Sequence, residues 1–207
     1  MLKRRVMAIV CLSVIAGPAH SGTAFPYTSL GIAVGATSFD DDIIVDTGTS
    51  AESHSGAVVA SIGGSIQFEG GPFFAASSGA MVSEGSSSEI EERQLNLGFG
   101  FPFPLNESFD LVPQLGFLYV DAEACVDNIC ATDDDSAISF GLQGRAWAVP
   151  EQLELGFGLS DTTLDDSDVV FGLSMGVWIE ENNRLGLNLS TSDFADTFTI
   201  GYSYNWW

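Results

Sequence analysis

The sequence predicts an all-β protein, a transmembrane antiparallel up-and-down β-barrel, and three observations indicate this fold. Apolar residues alternate with small or polar residues in ten successive segments. The connections between these segments alternate between short and long, apart from a short one at 192–196, and aromatic residues gather beside the short ones. A two-residue period is that of a β-strand, whose successive side chains face opposite sides of the sheet.

The first 21 residues have the pattern of a secretory signal peptide. Lys3, Arg4 and Arg5 precede an apolar run at 6–16, and the small residues Ala19 and Ser21 provide a cleavage site before Gly22. The apolar run is too short to span a bilayer. We therefore expect residues 1–21 to be a cleaved signal peptide and residues 22–207 to form the mature barrel.

Cleavage would leave a strongly acidic chain. All 28 acidic residues follow residue 21, whereas only Arg93, Arg145 and Arg184 of the six basic residues do, so the formal charge becomes −25. A chain with this charge repels the phosphate backbone of nucleic acids. No nucleic-acid partner is expected.

The ten segments are the predicted strands, and eight strands are the alternative. Most segments have the length that a tilted strand needs to cross a bilayer. An even number places both termini on the side of the short connections, which in such barrels is the periplasmic side. The predicted lipid-facing sets, in chain order, are Leu30, Ile32, Val34 and Ala36; Val58, Ala60, Ile62, Ile66 and Phe68; Phe73, Ala75 and Met81, whose phase stays open; Leu95, Leu97, Phe99, Phe101 and Phe103; Phe109, Leu111, Leu115, Phe117 and Tyr119; Ile138, Phe140, Leu142 and Ala146; Leu153, Leu155, Phe157 and Leu159; Val169, Phe171, Leu173, Met175, Val177 and Ile179; Leu185, Leu187 and Leu189; and Phe198, Ile200, Tyr202, Tyr204 and Trp206.

The opposite, lumen-facing positions are mostly glycine, serine and alanine, with a few charged residues among them. Arg145 lies diagonal to Glu154 across the short turn at 149–152, within reach of a long side chain. A buried charge without a partner is costly. The sequence therefore predicts a structural ion-pair cluster in the lumen, formed by Glu69, Asp110, Arg145 and Glu154, with a solute filter as the alternative.

Aromatic residues beside the short connections predict either a girdle at the lipid headgroups or a cap on the barrel mouth. Trp147, Trp178 and Trp207 fall in the inward phase, which favours a cap, but a local bulge could rotate each of them to the lipid interface. Both interpretations stay open. The predicted set is Trp147, Trp178, Tyr202, Tyr204, Trp206 and Trp207.

The last segment resembles the closing strand of bacterial outer-membrane β-barrels, with strictly alternating aromatic and apolar residues from Phe198 to Trp206 and a final Trp207. At the level of pattern, residues 22–207 resemble small barrels of the OmpA/OmpX-like or porin-like class. The resemblance implies a monomer in the outer membrane, in contact with membrane lipids and lipopolysaccharide. It also implies recognition of the last strand by the outer-membrane assembly machinery.

Cys125 and Cys130 are the only cysteines after residue 21, and both lie in one long connection. Because the periplasm is oxidising, a disulfide between them is expected. A metal site is the rival interpretation, but the sequence places no further soft ligands nearby.

Aspartates crowd the long connections. Their oxygen atoms could hold Ca²⁺ or Mg²⁺ loosely, although simple solvated acidic loops also account for them, and no EF-hand spacing is present. We expect no cofactor and no specific metal site. The residues of the possible weak cation loops are Asp133, Asp134, Asp135, Asp165, Asp166 and Asp168.

These observations favour a non-enzymatic barrel with a structural, surface-interaction or narrow-pore role. A small-solute, cation-preferring channel is one alternative, and an outer-membrane hydrolase or lipid A-modifying enzyme is a second. His54, between Ser53 and Ser55, is the only histidine after residue 21. A histidine base needs a positioned nucleophile and an orienting acid, and the sequence predicts no catalytic set.

Overall fold

β-Strands make up most of the described chain. The computed structural model describes residues 24–46, 51–69, 71–126, 129–164 and 167–206, so the predicted signal peptide and Trp207 lie outside it. In these ranges no helix is long and apolar enough to cross a membrane. The strands are β1 (Ser29–Asp46), β2 (Ala51–Gln67), β3 (Phe73–Glu84), β4 (Ser88–Gly100), β5 (Phe103–Asn106), β6 (Phe109–Val126), β7 (Ile129–Val149), β8 (Leu153–Thr162), β9 (Val170–Ile179), β10 (Asn183–Thr191) and β11 (Ala195–Asn205).

The sheet closes on itself. Strands that are neighbours in the chain pair antiparallel, except that β4 and β5 both pair with β6, and β1 pairs with β11. Because β5 continues β4 along the same partner, the two occupy one position in the barrel. The barrel therefore has ten positions, which confirms the predicted strand number and excludes eight.

Two prolines explain the break between β4 and β5. The amide of Phe101 donates to the carbonyl oxygen of Pro113 at 3.0 Å, which continues the ladder in one direction. Pro113 has no N–H to return, and neither does Pro102. Regular pairing resumes at Phe103, opposite Leu111.

The outer surface of the barrel is apolar. Leu30, Ile32 and Val34 on β1 are 53%, 57% and 60% exposed. The predicted outward sets of the other strands point the same way, apart from that of β3. An apolar exterior on a closed sheet is the surface that a membrane-spanning barrel presents to lipid.

The outward set proposed for β3 is wrong. Phe73 and Met81 are buried inside the barrel, and Phe74 and Val82 face the other way, in register with Ile66 and Val58 of β2. The segment carries apolar residues in both phases, so alternation alone could not choose between them. Contacts inside the barrel decide the phase, because Phe73 stacks on Tyr27 and Met81 packs beside Val59.

Two of the predicted long loops are strands. β6 and β7 stay paired as far as Val126 and Ile129, and β1 and β2 as far as Asp46 and Ala51. The polar residues at 121–136 and 40–56 suggested loops, but paired strands also tolerate polar residues on both faces once they leave the membrane. These hairpins project from the end opposite Ala24 and Trp206, which lie with the short turns.

Arginine at an outward position is expected to oppose insertion. Phe157→Arg would place a charge on the lipid face of β8, where such a change costs about 2–4 kcal/mol near the bilayer midplane. The loss in unfolding free energy is measured by titrating barrel in liposomes with urea, and heat-modifiable gel migration gives the folded fraction at each step. Thr132→Arg, on the projecting part of β7, is the matched control and is expected to unfold like wild type; equal loss in both variants would contradict the assignment of the lipid face.

Candidate functional site

The end of the barrel beside the short turns is filled by residues that precede β1. Residues 24–28, which we call the strap, lie inside the barrel rather than in its wall. Phe25 and Tyr27 are 0% and 1% exposed. Phe25 stacks on Trp147 with ring centroids 4.7 Å apart, and Tyr27 stacks on Phe73 at 4.9 Å.

Hydrogen bonds hold the strap to the barrel wall. Asp110 on β6 accepts from the amide of Ala24 at 3.1 Å and from the hydroxyl of Tyr27 at 2.9 Å. The indole Nε1 of Trp147 on β7 donates to the carbonyl oxygen of Ala24 at 2.9 Å. Thr28 joins the strap to two strands, since its Oγ1 accepts from the amide of Gln67 and its carbonyl oxygen accepts from the amide of Trp206.

Arg145 connects the strap to the charged cluster. Its guanidinium lies over the rings of Phe25 and Tyr27, with Cζ 4.5 Å and 5.0 Å from their centroids. The face of each ring attracts the cation. Nη1 donates to the carbonyl oxygen of Pro26 at 3.2 Å. Nε and Nη2 donate to the two oxygens of Glu154 at 3.0 Å and 2.9 Å, a bidentate pair.

Glu154 on β8 is the centre of the cluster. Besides Arg145 it accepts from Nε and Nη2 of Arg184 at 3.2 Å and 3.3 Å, and from the indole Nε1 of Trp178 at 3.1 Å. All of these side chains are buried. Two arginines are thereby matched by Glu154 and the nearby Asp110, so the formal charges cancel, as burial requires.

The register of the strands brings these groups together. Asp110 lies opposite Arg145, Glu154 opposite Trp147, and Arg184 opposite Trp178. Glycine provides the room, because a Cβ atom at Gly176 would fall on the guanidinium of Arg184. The small residues of the inward faces therefore make space for two long arginine side chains.

Three of the four residues predicted for the ion-pair cluster, Asp110, Arg145 and Glu154, lie in it. Glu69 does not, and its assignment to the lumen is wrong, because it is exposed in the turn after β2. The sequence analysis did not include Arg184 in the cluster, although it is two residues before Gly186 in the inward phase of β10. It also missed the strap, which precedes the first strand and so carries no alternation.

The predicted aromatic set divides between the two faces. Trp147 and Trp178 lie inside the mouth, with ring centroids 5.6 Å apart, whereas Tyr202, Tyr204 and Trp206 are exposed on the outer surface. Trp207 lies outside the described residues.

The outer end of the lumen is packed with apolar side chains. Leu118 and Val120 are both 0% exposed, and Phe39, Val59, Met81 and Ala195 form a second buried cluster. Between the two ends lies a cavity of about 40 Å³ lined largely by small and polar groups, among them Ser61, Gln143, Ser174, Asn188 and Thr199. This volume holds only a few water molecules.

The projecting hairpin of β6 and β7 carries the predicted disulfide between Cys125 and Cys130, which face each other across the strands. Within the described ranges, the group of three potential metal ligands is Glu123 with these two cysteines. Because both sulfur atoms are bonded to each other, this group offers no thiolate to a metal. Asp134 and Asp135 are exposed on β7, Asp133 and Asp168 are half-buried, and Asp165 and Asp166 lie outside the description.

Glu52 holds the turn between β3 and β4. Its carboxylate accepts from the hydroxyl of Ser88 at 2.6 Å and from the amides of Ser86 and Ser87. These hydrogen bonds lower the pKa of Glu52 from its usual value of 4.5 to about 2, and the bond from Ser88 has the largest effect. They favour the ionised form.

Comparison with known proteins supports the fold. No family model and no curated protein sequence matches the chain. The β domain of the Bordetella autotransporter Brka is 12% identical, with a TM-score of 0.50, over 86% of this chain and 99% of that one. Ail, the attachment invasion locus protein of Yersinia pestis, is also 12% identical, with a TM-score of 0.44, over 86% of this chain and 97% of its own. The chain has the fold of bacterial outer-membrane β-barrels.

Neutralising the central carboxylate is expected to destabilise the barrel. Glu154→Gln would leave Arg145 and Arg184 buried without their anionic partner, at a cost of about 3–5 kcal/mol. Urea unfolding in detergent, followed by tryptophan fluorescence, measures the change. Glu69→Gln, at an exposed turn, is the control and is expected to stay within about 0.5 kcal/mol of wild type; an equally stable Glu154→Gln would contradict the central role of this group.

The turn held by Glu52 is expected to loosen in acid. The pKa of Glu52 is lower in the folded chain than its usual 4.5, so its stabilising effect is present above that value and is lost as the pH falls toward about 2. Hydrogen exchange at the amides of Ser86 and Ser87 should show weaker protection at the acid end of this window, after correction for intrinsic rates. In Glu52→Gln this dependence should disappear; its persistence would assign the effect to another group.

Proposed function

We propose that this protein is an integral outer-membrane barrel with a closed lumen, which serves as a non-enzymatic scaffold presenting acidic, disulfide-bonded hairpins at the cell surface. The observation that carries the proposal is the packing of the lumen. The accessible surface of a side chain includes any surface that water inside a lumen would touch. A water-filled channel would therefore leave its lining residues exposed.

Both ends of this lumen lack such surface. At the inner end Arg145, Glu154 and Val112 are 0% exposed, and the strap fills the space between them. At the outer end Leu118 and Val120 are equally inaccessible. This packing favours a closed scaffold over the cation-preferring channel, because a conducting path would have to open at two separate seals.

The distribution of apolar and charged residues on the outer surface indicates how the barrel is placed in the membrane. The apolar exterior spans the barrel, and charged residues such as Asp121 and Asp196 begin where the hairpins and the long connections lie. Membrane lipids and lipopolysaccharide are therefore the proposed neighbours of the outer wall. The outward Tyr202, Tyr204 and Trp206 on the last strand support recognition by the outer-membrane assembly machinery.

The hairpins suit a role at the surface. Paired strands continue well beyond the membrane-spanning region, and the disulfide joins β6 and β7 near their tip. Val45, Ile90 and Val126 form a buried cluster that joins the projecting strands to each other. The extension presents a rigid, acidic structure to the medium, which favours surface interaction over a purely structural role.

The contacts of His54 support a non-enzymatic role. Its ring is 3% exposed, and its two nitrogens contact the buried hydroxyls of Ser83 and Ser88 rather than the adjacent Ser53 and Ser55. A substrate would not reach a base in this position without displacing the hairpin.

Wild-type barrel is expected to show no stable ion conductance in planar bilayers. Ions need a continuous aqueous path, and the two proposed seals interrupt it at both ends of the lumen. Correct folding of the same sample is verified by heat-modifiable migration. Regular cation-selective steps from folded protein would instead support the channel.

Access to the central cavity tests the inner seal directly. In a Ser174→Cys variant, a hydrophilic maleimide is expected to leave the new thiol unmodified, because Ser174 lines the cavity that lies between the two proposed seals. Adding Phe25→Ala and Tyr27→Ala, which shortens the strap side chains, should make the thiol reactive. Ser136→Cys on the exposed hairpin is the control and should react in both backgrounds; rapid labelling of Ser174→Cys with the strap intact would show that the lumen is open.

A further inference from the structure

His54 belongs to a chain of hydrogen bonds that the proposed scaffold does not use. It lies on the projecting part of β2, and its ring reaches across two strands. Nδ1 is 2.8 Å from Oγ of Ser83 near the end of β3, and Nε2 is 2.8 Å from Oγ of Ser88 at the start of β4. The imidazole therefore bridges both sides of the turn at 85–87.

Each of these hydroxyls already donates its proton elsewhere. Ser83 donates to the carbonyl oxygen of Gly56 at 2.6 Å, and Ser88 donates to Oε2 of Glu52 at 2.6 Å. A serine hydroxyl has one proton and two lone pairs. Both serines therefore present a lone pair to the imidazole.

Counting protons then selects one state of the ring. A neutral imidazole has one N–H and one lone pair, so one of its two nitrogens would face a serine lone pair. That contact becomes a hydrogen bond only if the serine withdraws its proton from Gly56 or Glu52. The imidazolium has two N–H groups and satisfies all four hydrogen bonds at once.

Acidic residues are the most numerous charged groups on the strands that form this corner. The segments of β2, β3 and β4 that meet here carry acidic residues, and Asp42 on β1 lies beside them, bonded to Ser53. The nearest basic residue on these strands, Arg93, is paired with Glu91. The acidic groups of the three segments are Glu52, Glu84, Glu89, Glu91 and Glu92.

We propose that His54 is a proton-controlled latch that ties β2 to the β3–β4 turn when it is protonated and releases one of these ties when it is neutral. Histidine changes charge between about pH 5 and 8. Glu52 stays ionised over that range, because the hydrogen bond from Ser88 and those from the turn amides hold its pKa near 2. The external corner formed by β2, β3 and β4 would therefore be tighter in mildly acidic surroundings than in alkaline ones. This inference does not depend on whether the lumen conducts.

The mature chain offers a direct measurement, because His54 is its only histidine after residue 21. Barrel labelled with ¹⁵N-histidine gives one imidazole signal, and its two nitrogens report which of them carry a proton at each pH. Between the pH at which both nitrogens carry a proton and the pH at which one has lost it, the amides of 83–88 are expected to lose about tenfold or more of their protection from hydrogen exchange, since one charge-assisted bond disappears. Protection that stays constant while the ring titrates would overturn the latch.

Two variants separate the latch from general effects of pH. His54→Gln has no titrating ring and is expected to show equal protection at pH 5 and pH 8. Glu52→Ala removes the acceptor of the Ser88 hydroxyl, which frees the serine proton for Nε2, so a neutral imidazole keeps its bonds to both serines and the pH difference should vanish. A full pH difference in either variant would refute the proposal.

Two serine variants complete the test. Ser83→Ala removes the acceptor for Nδ1 and is expected to reduce the pH difference even if Glu52→Ala disturbs the turn. Ser55→Ala replaces an exposed serine beside His54 and should keep the wild-type difference. Loss of the difference in Ser55→Ala, or its full retention in Ser83→Ala, would contradict the hydrogen-bond assignment.

Discussion

The carboxylate of Glu154 imposes a constraint on the whole inner end of the barrel. A charge at this depth has no water to solvate it, so it must find cations and hydrogen-bond donors within the wall. Arg145 and Arg184 provide the cations and Trp178 adds a further donor. Removing the carboxylate would leave two buried cations without a partner, so the four strands that carry these groups, β7 to β10, must keep one register.

The strap depends on this cluster. Arg145 uses its planar face for Phe25 and Tyr27 and its edge for Glu154, so the same side chain serves the ion pair and the closure. A lysine could not do both, because an ammonium group has no planar fork. Asp110 completes the arrangement by accepting from the backbone and the hydroxyl of the strap. The same side chains, Arg145 and Asp110, therefore hold the strap in the mouth and balance the charges of the cluster.

The membrane-spanning and projecting parts of the strands have different surroundings, and their side chains differ accordingly. Within the membrane the wall must be apolar outside, and the inside can hold small residues, charges and the strap. Beyond the membrane the outer face of each strand meets water and carries polar residues, whereas part of the inner face stays buried. His54 lies on this inner face, where hydrogen-bonded serine hydroxyls accompany a buried apolar cluster of Val45, Ile90 and Val126.

The sequence by itself determined the all-β barrel, its ten strands and the lipid-facing phase of nine of them. Alternation is a local property that follows from strand geometry and from the need to place apolar groups in lipid. It also placed Arg145 within reach of Glu154, because a tight turn fixes which residues of two strands lie opposite each other. The disulfide was equally accessible to sequence reasoning, since only two cysteines remain after residue 21.

Only the tertiary structure decided the content of the lumen. The strap at 24–28 has no period to reveal it, and its place depends on Asp110, Arg145 and Trp147, which are far away in sequence. The phase of β3 depended on contacts with Tyr27 and Val59, because the segment is apolar on both faces. Glu69 was misplaced for a different reason. Alternation predicts which way a side chain points, but it does not predict where along the barrel a strand ends. Pairing between distant residues, set by closure of the barrel, determines that end.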